Sequence, residues 1–343
     1  MIQPLCPCLL ITTWNFPIAM GSRQLATEIA EVCTSVIKPA KQTPLCTLAL
    51  AAILQESGLP DGVVNVVVGS SSGSLMEPLV RDSRLRKLSF TGSTEVGRLL
   101  VEQSAARLLR CSMELGGNAP FLVFPDADLD AALEGAIVAK MRNGGEACTA
   151  ANRFVVHESV AEEFARGLAA RMGALRVGPG LEPGTDVGPL IDGAQRDKVA
   201  ELVADARADG ALALTGGEPL DGAGYFYAPT VLTEVAPRAR LLDEEIFGPV
   251  APVTTFTDED AAIAEANRTE YGLVAYVYTR DLDRALRVSE RLETGMVGLN
   301  QGFVSNAAAP FGGIKASGFG REGGAEGILE YLETKYVAVA QDA

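Results

Sequence analysis

Residues 88–97, Leu88-Ser89-Phe90-Thr91-Gly92-Ser93-Thr94-Glu95-Val96-Gly97, set the fold class. A short strand-like run meets a glycine turn, and the turn meets the start of a helix. Backbone N–H groups and the helix dipole at such a junction suit a phosphate. Ser93 reads equally well as an ordinary N-cap, and the turn is not of the GxGxxG form. Alone it does not choose between a nucleotide site and a plain helix start. It does establish a strand followed at once by a helix.

The same alternation spreads outward in both directions. Strands are expected at Leu9–Ile11, Ser35–Lys38, Val63–Val68, Lys87–Phe90, Phe121–Phe124, Arg153–His157, Val250–Phe256, Leu273–Tyr278 and Val297–Asn300. Between them Pro44–Ser57, Thr94–Leu109, Leu129–Arg142 and Val160–Met172 read as helices, the last with a capping box of Ser159 and Glu162. This pattern argues for α/β architecture with mainly parallel sheets. Residues 178–188, GPGLEPGTDVG, form the clearest loop. A chain of 343 residues is long enough for two domains with substantial cores.

Composition works by exclusion. Lys and Arg number 29 against 44 Asp and Glu, and the net charge of −15 argues against nucleic acid or an anionic membrane as partner. No apolar run reaches membrane-spanning length. The amino terminus, Met1 to Cys8, has no basic segment and two prolines, so it does not read as a signal peptide. Six cysteines without a CxxC pair, and a single histidine, His157, give no zinc or haem site, so no metal is expected. Thiols without a disulfide framework point to a reducing compartment, the cytoplasm.

One cysteine stands apart. Cys148 lies in the loop Arg142-Asn143-Gly144-Gly145-Glu146-Ala147-Cys148, after an expected helix. Glu114 lies in a second glycine turn, Met113-Glu114-Leu115-Gly116-Gly117-Asn118. A thiol and a carboxylate so placed are the parts of covalent catalysis on a carbonyl, and a thiolate is the best side-chain nucleophile at neutral pH. A lone loop cysteine is more often inert, so the surroundings decide.

Those surroundings resemble the NAD(P)-dependent aldehyde dehydrogenases, and within that family the semialdehyde dehydrogenases. The matching segments are Thr13-Trp14-Asn15-Phe16-Pro17, Ile37-Lys38-Pro39-Ala40, Phe90-Thr91-Gly92-Ser93-Thr94, Glu114-Leu115-Gly116-Gly117-Asn118-Ala119-Pro120, the Cys148 loop, Glu244-Glu245-Ile246-Phe247-Gly248-Pro249 and Pro310-Phe311-Gly312-Gly313-Ile314-Lys315-Ala316-Ser317-Gly318. They occur in family order over nearly the whole chain. The resemblance implies that Cys148 attacks the aldehyde, that Asn15 and a main-chain N–H at Cys148 hold the oxyanion, and that Glu114 activates water. It implies that Lys38 and Glu245 hold the ribose hydroxyls, that Phe247 packs beside one ribose, and that Thr91, Gly92 and Ser93 form the pyrophosphate turn. Lys41 stands where many NAD-preferring relatives carry glutamate, so NADP is expected and NAD is possible. Arg23, Arg142 and Ser305 match contacts for a substrate carboxylate. A short ω-oxo acid follows, succinate semialdehyde first and glutarate semialdehyde next.

The implied fold is aldehyde-dehydrogenase-like α/β with two doubly wound parallel-sheet domains. An incomplete dinucleotide domain would span 1–116 and a catalytic domain 117–317. The segment 318–343 would carry a terminal strand, Lys335–Val339, that builds a homo-oligomer, a dimer or tetramer. The chain also departs from the family. Members begin well upstream of Met1, so an amino-terminal portion is expected to be absent, leaving a sheet edge and helix faces exposed. Cys6 and Cys8 replace glycine and small apolar residues, Thr13 a usual proline, and Val32 a glycine. Glu146 replaces glutamine, and a carboxylate that close would raise the thiol's pKa. Two alternatives therefore stay open: a truncated, inactive fragment, and a cofactor-independent esterase-like hydrolase using Cys148, Asn15 and Glu114.

Overall fold

Residues 1–340 are described in the computed structural model. They form two compact units, one from residues 1–115, 305–312 and 318 onward, the other from 116–304 and 313–317.

In the first unit Cys8–Ile11 is buried at every position, as expected of a strand covered on both faces. It lies inside a six-stranded sheet ordered Gly318–Phe319, Arg110–Glu114, Lys87–Thr91, Cys8–Ile11, Ser35–Lys38, Val64–Val66. All neighbours are parallel except Gly318–Phe319. The chain winds outward from Cys8–Ile11 to Val64–Val66, then returns through the helix Ser72–Arg81 to the other side at Lys87–Thr91. That reversal is a topological switch point, where open α/β sheets bind ligands beyond the strands' carboxyl ends. Leu9, Ile11, Leu88, Phe90 and Met113 pack with Leu100 on one face, and Leu10, Ile37, Leu25 and Tyr331 pack on the other.

The second unit holds a seven-stranded sheet ordered Met296–Leu299, Val274–Tyr278, Ala119–Val123, Ala151–His157, Val250–Phe256, Thr230–Thr233, Leu212–Thr215. Only the last strand is antiparallel. Phe121, Phe154, Phe164 and Tyr278 fill one face, with Phe121 and Tyr278 stacked at 4.9 Å. Each such side chain contributes about 1.5–3 kcal/mol by leaving water. Gly135 of the helix Leu129–Met141 makes room for them, since a Cβ there would lie 1.6 Å from the Tyr278 hydroxyl oxygen.

The expected strands and helices occur, with ends displaced by a few residues at most of them. Three expectations need correction. The helix expected from Val160 begins at Glu158, and its N-cap is His157, whose imidazole accepts the Ser159 N–H. The preceding strand runs to His157, so Ser159 is already helical and cannot close a capping box. The terminal strand is Leu332–Thr334, not Lys335–Val339, and it pairs antiparallel with Ile2–Pro4 of the same chain. Those backbone groups are used within the chain, and residues 335–340 have no regular structure. The segment from 318, expected to stand apart, belongs to the first unit; residues 341–343 lie outside the described residues. Leu45, Leu48 and Ile53 of the helix Pro44–Glu56 are exposed. No helix among the described residues is long and apolar enough to cross a membrane.

Candidate active site

The second unit builds the cysteine loop from backbone conformations that few residues adopt. After the helix Leu129–Met141, Asn143, Gly144 and Gly145 follow one another in the left-handed region, with φ of 54°, 63° and 82°. Asparagine and glycine tolerate that region best. A Cβ on Gly145 would lie 2.2 Å from the Gly248 carbonyl oxygen, and one on Gly117 would lie 2.3 Å from the Cys148 carbonyl oxygen. The loop is therefore packed backbone to backbone against both glycine segments. Cys148 is half-buried, at the amino end of Ala151–His157. Asn143 Nδ2 donates to the Glu146 carbonyl, and Glu146 Oε1 accepts the Ile191 N–H at 3.0 Å. Burial pushes the Glu146 carboxyl up to about 7, against the Ile191 bond.

Glu245 lies on the segment that meets this loop. Its Oε1 accepts the Gly117 N–H at 2.9 Å, and Lys198 Nζ donates to its carbonyl at 2.7 Å. Burial raises its carboxyl to about 7, opposed by the Gly117 N–H and by Lys198 and Lys140. Lys140 is fully buried, its Nζ has no hydrogen-bond partner among the described residues, and burial lowers it to about 7. Phe247 has φ 53°, a costly conformation for a bulky residue. Gln195 Nε2 holds it there by donating to the carbonyls of Ile246 and Phe247 at 3.0 and 2.8 Å.

Sequence reading missed the polar core beneath. Asn152 Nδ2 donates to Asn118 Oδ1 and to the Leu241 and Glu244 carbonyls, while its Oδ1 accepts the Ile246 N–H. Asn118 Nδ2 reaches the Leu242 carbonyl, and the buried Arg153 guanidinium bonds Asn118 and the Ala266 carbonyl. The only signal was a pair of polar residues in an otherwise apolar strand start. Arg142 was anticipated. It stacks 4.8 Å over the Phe303 ring and donates to Thr149 Oγ1 at 2.9 Å.

The first unit carries the remaining candidates. Asn15 lies between Cys8–Ile11 and the helix Pro17–Ala30, and its Oδ1 accepts the Thr13 hydroxyl at 2.8 Å. Arg23 Nη2 donates to Ser305 Oγ at 3.1 Å, and the guanidinium lies 4.4 Å over the Phe311 ring. These two candidates, distant in sequence, are thus brought together. Glu114 ends the strand Arg110–Glu114 beside Thr91. Burial, then the neighbouring Glu322, holds its carboxyl well above the usual range despite Arg23 and Arg321. Its Oε2 is buried and lacks a hydrogen-bond partner among the described residues. Gln24 Nε2 bridges Thr91 Oγ1 and Glu322 Oε1 at 3.0 and 3.1 Å.

The same unit offers features that fit a dinucleotide. Ser93 caps the helix Thr94–Ala105 through the Val96 N–H, and Gly92 N–H donates to the Glu114 carbonyl at 3.0 Å. A Cβ on Gly92 would lie 2.4 Å from the Phe90 ring, so a side chain there would require the ring to move. The turn stands at the carboxyl end of a switch-point strand, where a helix N-terminus attracts phosphate. Lys38 is buried at the end of Ser35–Lys38, and burial, then the exposed Lys41, lowers its pKa. Among the described residues no group of three or more His, Cys, Asp or Glu could hold a metal ion.

Comparison with known proteins supplies the context. The aldehyde dehydrogenase family model matches residues 1–337. Over 338 residues the chain is 60% identical to the succinate-semialdehyde dehydrogenase of Paenarthrobacter nicotinovorans, covering 98% of this chain and 75% of that protein. It is 50% identical over 337 residues to an NADP(+) succinate-semialdehyde dehydrogenase of Escherichia coli (strain K12), covering 98% of this chain and 70% of that one. The crystal structure of succinate-semialdehyde dehydrogenase from Burkholderia pseudomallei matches with a TM-score of 0.98 at 49% identity, covering 99% of this chain and 70% of that chain.

Proposed function

Because the chain belongs to the aldehyde dehydrogenase family, we propose that it oxidises succinate semialdehyde to succinate, with glutarate semialdehyde second, and that it prefers NADP. The chain is an NAD(P)-dependent oxidoreductase of that family, acting on a semialdehyde.

In this proposal the Cys148 thiolate adds to the aldehyde carbon, forming a C–S bond and moving the carbonyl electron pair onto oxygen. The Asn15 amide and the Cys148 main-chain N–H stabilise that oxyanion, each such donor contributing about 3 kcal/mol. NAD(P), when bound, supplies the hydride acceptor that turns the adduct into a thioester. Glu114 takes a proton from the water that attacks the thioester, and Cys148 leaves as thiolate. Burial and the neighbouring Glu322 raise the Glu114 carboxyl above its ordinary range, so its ionised form is the stronger proton acceptor. Thr91, Gly92 and Ser93 would hold the pyrophosphate, and Lys38 and Glu245 the ribose hydroxyls, with Phe247 packed nearby. Lys41 would receive the 2′-phosphate; it and Lys38 repel one another, and an anion relieves that repulsion.

Arg142 carries the substrate assignment. Its guanidinium is fixed by Phe303 and Thr149 at the start of the cysteine loop, so it presents a fixed cation to a short acid. Arg23 with Ser305 forms the second anchor. Removing a charged hydrogen bond costs about 1.5–3 kcal/mol, so Arg142→Ala should raise KM for succinate semialdehyde by roughly ten- to a hundredfold and leave butanal unaffected. An unchanged KM, with neutral aldehydes oxidised equally well, would sink the assignment. The proposal extends to a homo-oligomer, read by light scattering. It also extends to a reducing, cytoplasmic setting, supported by six cysteines outside any disulfide.

A further inference from the structure

We propose that Cys6 and Cys33 form a reversible redox site within the first unit, at which a hydroperoxide oxidises Cys6 and Cys33 resolves it into a disulfide. The bond would staple the segment before Cys8–Ile11 to the end of the helix Pro17–Ala30. Three thiols meet there. Cys8 and Cys33 are buried in one apolar cluster with Leu10 and Ile37, and the half-buried Cys6 packs against it. The backbone fixes the meeting. Past the helix, Val32 turns the chain with φ 57°. Its N–H bonds the Ile29 carbonyl at 3.0 Å and the Cys33 N–H bonds the Glu28 carbonyl at 3.1 Å, a Schellman closure. On either side of Cys33, the Val32 carbonyl lies 4.0 Å from Cys6 Sγ, and the Thr34 carbonyl accepts the Cys8 N–H at 2.9 Å. Cys33 thus lies between the other two cysteines, and its thiol is in hydrogen-bond contact with both.

Burial divides the roles. Cys8 is 1% exposed, and its Sγ donates to the Leu5 carbonyl at 3.2 Å. Burial, then Glu28 and Cys6, push its thiol up to about 12, so it stays protonated and inert. Cys33 is equally buried, and burial, then Cys6, hold its thiol above the usual range. It is shielded from an oxidant in solution but not from Cys6. Cys6 alone of the three reaches solvent, and its contact with the Val32 carbonyl is at the limit for sulfur. In the first step a peroxide oxygen passes to the Cys6 sulfur, giving a sulfenic acid and releasing water. In the second the Cys33 sulfur attacks the Cys6 sulfur. An S–S bond forms as the S–O bond breaks, and the hydroxyl leaves as water with the Cys33 proton. Two thiols lose two electrons and two protons, and one hydrogen peroxide ends as two waters. Contact between the sulfurs offsets the low thiolate fraction of Cys33, because the step is intramolecular.

The test treats the full, reduced chain with hydrogen peroxide and maps it by mass spectrometry after tryptic digestion without reductant. The expected result is a bond between the peptide carrying Cys33 and the one carrying Cys6 and Cys8. Fragmentation should place it at Cys6, and dithiothreitol should reverse it. The Cys8→Ser variant should form the same bond. In Cys33→Ser the oxidised Cys6 has no resolving thiol and should be captured by dimedone as the sulfenic acid. Oxidation should raise the melting temperature of the wild type and of Cys8→Ser by about 5–10 °C, because the link restricts the unfolded chain. Cys33→Ser should lack that gain. A bond placed at Cys8, a Cys33 left free while Cys6 is oxidised further, or no bond at all overturns the site. An equal gain in Cys33→Ser, or none in the wild type, overturns the staple. Should Cys33→Ser fail to fold, the wild type decides alone: a Cys6–Cys33 bond with a higher melting temperature supports the inference, and any other map overturns it.

Discussion

Glu146→Gln should stabilise the protein at pH 8 and do so far less at pH 5. The Glu146 carboxyl has an ordinary value of 4.5 and titrates at about 7 in the fold, chiefly because burial removes water and secondarily because Asp192 is near. The folded chain therefore binds this proton more tightly than the unfolded chain. Stability must fall as pH rises from about 4.5 to about 7 and stay reduced above that. The shift corresponds to at most about 3 kcal/mol, and residual solvent screening brings it to about 1–2 kcal/mol.

Glutamine keeps the acceptor for the Ile191 N–H, so the bond at 3.0 Å survives while the ionisation does not. For a unit of this size, about 1–2 kcal/mol is a gain of roughly 2–8 °C in melting temperature. Thermal melts of both chains at pH 5 and pH 8 give the four numbers needed. A gain of equal size at both pH values in the Glu146→Gln variant would show that packing, not ionisation, is responsible. A loss at pH 8 would mean that the carboxylate is stabilised in the fold, and the reasoning would be refuted. This carboxylate lies two residues before Cys148 in the sequence, and its Oε1 accepts the Ile191 N–H.

Two further outcomes follow from the geometry. Gly145→Ala should cost at least about 2 kcal/mol and abolish turnover, since it combines a left-handed φ of 82° with a Cβ 2.2 Å from the Gly248 carbonyl oxygen. Gly144→Ala should cost only about 1 kcal/mol, since its nearest neighbour lies 3.9 Å away; melts and thiol-alkylation rates of the two variants should separate them. Lys41→Glu should reduce kcat/KM for NADP by about ten- to a hundredfold while sparing NAD, the effect of removing one cation from a phosphate and adding repulsion. A wild-type chain already favouring NAD would refute the assignment of Lys41.

The elements legible in sequence were those whose local pattern agrees with their tertiary role. Ser35–Lys38 and Val250–Phe256 are runs rich in β-branched residues, and both appear with the expected bounds. Arg110–Glu114 was missed because Arg-Cys-Ser-Met-Glu carries no strand pattern. It is a strand because Lys87–Thr91 and Gly318–Phe319 pair with its two edges. The polar Lys87 and Ser112 are accommodated within the sheet by their own 2.6 Å bond. Ser159 failed as a cap for the complementary reason. Its local signal is sound, but it cannot reveal that the preceding strand runs on to His157. In the candidate site the chemically reactive side chains were legible, because a thiol and a carboxylate in glycine turns announce themselves. Asn118, Asn152 and Arg153 were not, since their partners lie on carbonyls far along the chain, which no spacing encodes.

The two sheets place their functional segments at opposite strand ends, and glycine explains how. In the first unit Thr91-Gly92-Ser93 follows the carboxyl end of a switch-point strand and opens a helix, the arrangement that suits an anion. In the second unit Cys148 precedes its strand, in the loop that follows the carboxyl end of the helix Leu129–Met141. Its loop is fixed instead by close backbone contact, with Gly117 against the Cys148 carbonyl and Gly145 against the Gly248 carbonyl. A side chain at either glycine would push the loop away before any chemistry was lost. The most constrained positions around the thiol are therefore those that carry no side chain, and the glycines in the Cys148 loop inform on Cys148 as strongly as the residue itself does.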